Sequence, residues 1–232
     1  MPEGRPDAGA FAGPRVAAHY EGWYATPEGA RADALEKETL SALLQRFPRA
    51  DRVLEVGCGT AHFTRWLHGQ GTTAVGADLS SAMLAEARAH GGMPLVRADA
   101  SRLPFADGVF DVTLLVTTLA FLPRPRAALA EALRVSRYGL LLGVLNRWST
   151  LGIRRQVEGL FRPTLYADAH FYGVRELARL LRAVAGPGAA VIWRTTLFPC
   201  WWPWPRARQR WGSFIAAALI LDRGPKIART DG

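Results

Sequence analysis

The 232-residue chain is short of cysteine, of lysine and of long apolar runs, and each shortage narrows what it can be. Cys58 and Cys200 are its only cysteines. Two so far apart, one of them between glycines, make neither a disulfide framework nor a structural metal site, so no metal is expected and a reducing compartment, the cytoplasm, is. The longest apolar runs, such as Phe214 to Leu221, fall far below the roughly 20 residues that cross a bilayer. Residues 1–14 are rich in Gly, Pro and Ala with no apolar segment, and read as a disordered lead rather than a signal peptide. Of 29 basic residues only Lys37 and Lys226 are lysines, the mark of a GC-rich coding bias, so the net charge of +9 does not by itself identify a nucleic-acid binder. Its distribution says more. Through Gly139 there are 15 basic and 15 acidic residues; from Leu140 onward there are 14 basic and 5 acidic, which places the whole excess in the C-terminal part.

What is present is organised around Val53-Leu54-Glu55-Val56-Gly57-Cys58-Gly59-Thr60-Ala61-His62-Phe63-Thr64. A short aliphatic run reads as a buried parallel strand; Phe63, Trp66 and Leu67 then open a helical repeat. Between them Gly57 and Gly59 let the backbone turn sharply and come close to a ligand, since no Cβ intervenes. A strand, a glycine turn and a helix form the first half of a nucleotide-binding βαβ unit. A second strand, Thr73 to Asp78, ends in a carboxylate about 20 residues later, the spacing at which an acid reaches ribose hydroxyls. Ser80 caps a helix with Met83, Leu84 and Ala87 on one face, and a third strand, Pro94 to Ala98, runs into Asp99.

On these residues the chain resembles the class I S-adenosylmethionine-dependent methyltransferases, in particular the small-molecule group that includes quinone-biosynthesis enzymes. Glu55 to Ala61 resembles their acidic-x-Gly-x-Gly-x-Gly motif, Ser81-Ala82-Met83-Leu84 the start of their next helix, and Leu103-Pro104-Phe105 with Phe110-Asp111-Val112 the approach to their fourth strand. The resemblance covers residues 50–145 well and continues more weakly to about 222. It implies an α/β, Rossmann-like, doubly wound, mostly parallel seven-stranded sheet with an antiparallel last strand. It also implies S-adenosylmethionine as cofactor, with Asp78 at the ribose and Asp99 near the adenine amino group; Glu55, Gly57, Cys58, Gly59, Leu79, Met83, Ala100 and Thr117 complete the expected cofactor contacts. Two departures stand out. Ala61 replaces the third glycine and narrows the approach by one methyl, and Val135-Ser136-Arg137-Tyr138-Gly139 stands where the family has a Pro-Gly-Gly turn.

The remaining chain is placed around that core. Residues 15–50 are expected to form an N-terminal lid and helix: an aromatic cluster with Tyr20, Trp23 and Tyr24, then a helix from Glu28 to about Phe47 whose Leu35, Leu40, Leu43 and Phe47 face the sheet. That cluster reads equally as a lid over the cofactor mouth and as a hydrophobic staple. Residues 51–146 form the cofactor-binding core. Residues 147–232 hold a substrate-side insertion with Arg147, His170 and Tyr172, a helix from Arg175 to Ala185, and two strands, about Val191 to Phe198 and Ser213 to Asp222, of the same domain.

Methyl transfer from a sulfonium needs alignment more than acid–base chemistry. His170 is the preferred candidate base, with Thr117 beside it as a catalytic candidate; Thr118, Asn146 and Arg147, just past strands four and five, join Tyr20, Trp23, Tyr24 and Tyr172 on the acceptor side. After strand four stand Thr117-Thr118-Leu119-Ala120-Phe121, with neither an Asn/Asp-Pro-Pro-aromatic motif nor a cysteine nucleophile. The acceptor class is therefore a small, partly apolar or anionic molecule with an oxygen, sulfur or carbon nucleophile. Two alternatives stay open: RNA methylation through the basic C-terminal part, against which no separate RNA-binding module is visible, and a non-catalytic S-adenosylmethionine-binding partner protein. The segment from Pro199 to Trp211 carries four tryptophans, three arginines and three prolines. It reads either as core packing or, through Trp201, Trp202 and Trp204, as a peripheral membrane contact. Nothing in the sequence fixes an oligomeric state.

Overall fold

The computed structural model describes residues 14–150, 152–153, 169–198 and 210–222. Seven strands form one sheet, β1 (Arg52–Val56), β2 (Thr73–Asp78), β3 (Leu95–Arg97), β4 (Phe110–Val116), β5 (Ser136–Leu145), β6 (Ala190–Thr196) and β7 (Phe214–Ile220). Their spatial order is β3-β2-β1-β4-β5-β7-β6. The first five pair in parallel, and β7 runs antiparallel to both β5 and β6, as the family resemblance implied. Every residue of β4 is buried, including Asp111, whose carboxylate accepts from the Asp51 and Arg52 amides (3.0 Å each), and Thr113.

The helices are α1 (Pro14–Ala25), α2 (Pro27–Leu44), α3 (His62–Gly69), α4 (Ser81–Ala89), α5 (Pro125–Val135) and α6 (Val174–Ala185). Leu40 and Leu43 of α2 and Phe63 and Leu67 of α3 pack on one face of the sheet against Val53, Val112 and Phe214. Leu129 and Leu133 of α5, with Leu177 and Leu181 of α6, cover the other face against Leu54, Leu115, Leu140 and Ile215. The aromatic segment expected ahead of the first helix is itself helical, as part of α1. Thr26 separates it from α2: its hydroxyl donates to the Trp23 carbonyl (2.7 Å) and accepts from the Gly29 amide (3.0 Å), and Pro27 fits the first helical position. Where the Pro-Gly-Gly turn is missing, α5 ends at Val135 and β5 begins at the next residue. The junction is closed by the Ser136 hydroxyl, 2.6 Å from the Ala132 carbonyl and 2.6 Å from the Thr113 hydroxyl.

This topology decides where a ligand sits. From β1 the chain works outward to β3, then returns to lay β4 on the other side of β1, so the carboxyl ends of β1 and β4 diverge into a crevice.

Candidate functional site

The crevice is floored by the glycine turn. The Gly57 and Cys58 amides donate to the Ala77 carbonyl of β2 (2.7 and 3.1 Å), which pins the turn to the neighbouring strand. Gly57, Gly59 and Ala61 have φ of 71°, 53° and 61°, a left-handed conformation at alternate residues. The two glycines serve different ends. A Cβ on Gly57 would lie 2.2 Å from Thr118 Cγ2, whereas one on Gly59 would meet nothing nearer than Met83 Sδ at 4.0 Å. Gly57 is thus required by packing, and Gly59 holds open a space that a Cβ would enter. Ala61 is fully buried and outside the cavity lining, so the missing third glycine costs local backbone strain and leaves the ligand's approach unobstructed.

Asp78 binds the turn from the second strand: its Oδ2 accepts from the Gly59 amide and its Oδ1 from the Ser80 amide, both at 2.8 Å. Burial still raises its pKa above the ordinary carboxylate value. With the Leu79 amide also acting on it, the carboxylate keeps room for a further donor. Ser80 caps α4 through the Met83 amide (3.2 Å), as its sequence position predicts. Asp99 is more open. Ser101 donates to its Oδ1 from amide and hydroxyl (2.7 and 2.8 Å), which lowers its pKa, and Arg124 stands 3.6 Å from Oδ2. Glu55, the acid on β1, is 2 % exposed and accepts from the Thr64 hydroxyl. Burial raises its carboxyl to about 8, against the pull of that bond, so it is largely protonated at neutral pH. Burial likewise pushes the Cys58 thiol up, which favours its neutral form.

Glu55, Gly57, Cys58, Gly59, Asp78, Leu79, Met83, Asp99, Ala100, Thr117, Thr118 and Tyr24 all line one cavity of about 250 Å³, so ten expected cofactor contacts and two expected acceptor-side residues come together. Thr117 adopts φ 56°, an unusual conformation for a β-branched residue, at the end of β4. The Thr118 hydroxyl is within reach of the Gly57 and Val116 carbonyls (3.2 and 3.0 Å), so it braces the glycine turn.

Other nominees lie elsewhere. His170 borders a different cleft, with Nε2 2.7 Å from Glu176 Oε1, and does not line the main cavity. Asn146 is fully buried: its amide nitrogen donates to the Arg210 and Gly212 carbonyls (2.7 Å each) and its Oδ1 accepts from the Trp148 amide (3.1 Å). Arg147 donates to the Phe171 carbonyl (3.0 Å) and sits 3.3 Å from Glu176. Tyr172 is 4 % exposed, and burial pushes its phenol up to about 12. Trp23 is turned outward. Tyr20 lies in α1 with its side chain outside the description, and Trp201, Trp202 and Trp204 lie outside the described residues.

The expected lid is represented at the cavity by Tyr24 of α1, but the polar cluster that α1 and α2 build behind it is not foreshadowed. His62, at the start of α3, lines the cavity and stacks on Tyr24 with ring centroids 3.7 Å apart. Its Nε2 is 2.7 Å from Asp33 Oδ1, and Lys37 Nζ is 2.6 Å from Asp33 Oδ2. Glu21 accepts from the Thr60 hydroxyl and from Arg65 (2.9 Å). Burial alone would raise the Glu21 carboxyl, but hydrogen bonds from His62, Thr60 and Arg65 lower it to about 2. Only the i, i+4 spacing of Asp33 and Lys37 is legible beforehand; their convergence on His62 depends on how α2 is laid over the turn.

Comparison with known proteins agrees with this geometry. Residues 54–142 match the model of a methyltransferase domain family. An uncharacterized protein of Methanocaldococcus jannaschii is 30% identical over 172 residues, covering 72% of this chain and 77% of that protein. Demethylmenaquinone methyltransferase of Mycolicibacterium vanbaalenii is 36% identical over 152 residues, 66% of this chain; the match spans 62% of that enzyme, less than two thirds of its length. A solved SAM-dependent methyltransferase from Thermotoga maritima superposes with a TM-score of 0.72 at 27% identity, covering 89% of this chain and 96% of that one.

Proposed function

The chain belongs to the class I S-adenosylmethionine-dependent methyltransferases, and we propose that its acceptor is a small, partly apolar molecule methylated on an oxygen, sulfur or carbon atom. The observation that carries the acceptor class is the wall past β4. There the cavity is lined by Val116, Thr117, Thr118, Phe121, Leu122 and Pro123, with hydroxyls and apolar groups where a base or amide acceptor would need paired donors and acceptors.

The residues fit the cofactor. The space beside Gly59, which a Cβ would enter, lies next to the Asp78 carboxylate with its room for a further donor, and the more exposed Asp99 stands at the far end. Bound there, S-adenosylmethionine supplies a methyl group already activated for displacement. Gly57 and Gly59 admit the backbone to close range, Asp78 receives the ribose hydroxyls, Asp99 and Leu79 take the adenine end, and Tyr24, stacked on His62, closes the N-terminal side. Thr117 orients the acceptor from the end of β4. No base is assigned to His170, because its imidazole is engaged by Glu176 beyond the cavity wall.

Incubation with methyl-labelled S-adenosylmethionine and a fractionated metabolite extract tests this. Label is expected in a small organic product. Label confined to RNA would overturn the acceptor class, and tight cofactor binding with no turnover on any fraction would make the chain a non-catalytic binder. Asp78→Ala is expected to weaken cofactor binding by roughly 1.5–3 kcal/mol, the loss of a hydrogen bond to a charged group; calorimetry showing unchanged affinity would remove Asp78 from the ribose.

A second reading concerns where the acceptor is met. Trp148, Ile153 and Trp211 are all more than half or just half exposed (58%, 50% and 54%), and Asn146 ties the neighbours of Trp148 and Trp211 together at the same sheet edge. Such an apolar edge in a basic C-terminal region favours a peripheral membrane contact. Salt-sensitive binding to anionic and not neutral vesicles is the expected sign.

A further inference from the structure

A second cleft, of about 940 Å³, lies between α5 and α6 and shares only Leu122 and Arg124 with the main cavity. Both helices lead into strands that run parallel to β4, so both point their N-terminal, electropositive ends at this edge of the sheet. The α5 end has no acidic residue in its first turn and no side-chain cap. Arg126 of α5 and Arg179 of α6 border the cleft, both exposed, and no carboxylate among the described residues pairs with either. Glu176, the one acid that lines the cleft among the described residues, is already taken: His170 lies 2.7 Å from its Oε1 and Arg147 3.3 Å from its Oε2. Positive charge is therefore left over above a floor that includes Leu122, Ala127, Leu180 and Ala183.

We propose that this cleft binds an amphiphilic organic anion, a phosphate or carboxylate on an apolar body, with Arg126 and Arg179 gripping the anionic group. Guanidinium forks match the planar or tetrahedral oxygens of such groups. The apolar floor adds what a bare anion would not use, and the volume falls within the roughly 300–1,000 Å³ typical of small-molecule sites. Arg124 connects the cleft to the cofactor end of the main cavity, since it also reaches Ser101 (2.9 Å) and Asp99 (3.6 Å). The proposal does not rest on the acceptor class given above.

The test is calorimetric titration of the full chain with octyl phosphate, octyl glucoside and inorganic phosphate, with saturating S-adenosylhomocysteine holding the main cavity. Octyl phosphate is expected to bind one to one, at least tenfold tighter than either control, and to weaken as salt rises. Arg126→Glu with Arg179→Glu is expected to weaken it at least tenfold while leaving S-adenosylhomocysteine affinity unchanged; the milder Arg126→Gln, Arg179→Gln pair guards against misfolding. Octyl phosphate affinity unchanged in both pairs, or equal binding of octyl glucoside, would overturn the proposal. Failure of S-adenosylhomocysteine to bind would count against the cofactor site alone, because the octyl phosphate titration of the arginine variants still reports on the cleft. Transfer of octyl phosphate binding to vesicles bearing anionic lipid, with the free compound inert, would reassign the anion to a membrane headgroup and overturn the soluble ligand.

Discussion

The carboxyl ends of β1 to β3 and those of β4 to β5 meet at one edge of one sheet, yet they use their polar side chains differently. On the first side Asp78 and Asp99 present carboxylates to a cavity, each holding a backbone amide two residues on, and Asp78 the Gly59 amide as well. On the second, Asn146 and Arg147 turn back into the protein and bind carbonyls from segments distant in sequence, at Arg210, Gly212 and Phe171. A polar residue at the end of a buried strand has two employers, the ligand and the chain. The loops after β1 to β3 ask little of their acids, a few backbone amides from Gly59, Ser80 and Ser101, so these carboxylates serve the chain and still face the cavity. The segments after β5 and before β7 ask more, and Asn146 supplies the missing donors and acceptor.

The glycine turn offers the sharpest way to break this contrast. Gly57→Val is expected to have the largest effect, because its side chain would collide with Thr118 in a backbone at φ 71°; folded yield and cofactor binding should both be lost. Gly59→Ala should fold with a modest penalty of about 1–2 kcal/mol for the left-handed backbone and lose cofactor affinity disproportionately. Calorimetry beside thermal melts separates the two, and equal behaviour of both variants would show that the turn is uniformly structural.

Asn146→Ala should do the opposite of Gly59→Ala. It strands two carbonyls and an amide, each costing about 1–3 kcal/mol if left unsatisfied. At about 2–4 °C per kcal/mol for a chain of this size, a fall in Tm of several degrees is expected with cofactor affinity intact. Loss of cofactor affinity without loss of stability would return Asn146 to the ligand side.

The Glu55 carboxyl gives a smaller effect, and its sign follows from linkage. Its pKa rises from an ordinary 4.5 to about 8 in the folded chain, so between these values the native state holds a proton that the unfolded chain has released. Stability should therefore be full below the lower value, fall as pH rises across the interval, and level off above about 8. Glu55→Gln should flatten that slope in melts taken across the window. A slope that persists undiminished would assign it to other groups, Asp78 first among them.

The smallest change expected is a gain. Ala61→Gly relieves a left-handed alanine worth about 1–2 kcal/mol, offset in part by the greater freedom of glycine in the unfolded chain. A Tm raised by a few degrees at unchanged cofactor affinity is the result to look for; weaker binding would mean that the methyl shapes the turn for the ligand.

The contrast also explains what was legible. The strands, the Ser80 cap and the two acids are written locally, in runs and spacings of a few residues. The His62 cluster is not, because Glu21, Tyr24, Asp33 and Lys37 become neighbours of the glycine turn only when α1 and α2 are laid across it. His170 is a further case: its place after the core suggested the acceptor side, while Glu176, in the first turn of α6, pairs with it at a cleft apart from the main cavity.

The sheet order carries a consequence for synthesis on the ribosome. β6 pairs with β7 alone, although β7 follows it in the chain, and β7 is also what joins β6 to β5. As the polypeptide emerges, β6 has no partner until Phe214 to Ile220 has followed it out, and β5 presents an open edge for the same interval. In the sequence between β6 and β7, Pro199, Pro203 and Pro205 carry no amide hydrogen to donate to a ladder. A released chain truncated before residue 213 should be cut by protease within residues 190–196 and spared within β1 to β4. Protection of β6 at that length would mean it finds another partner first.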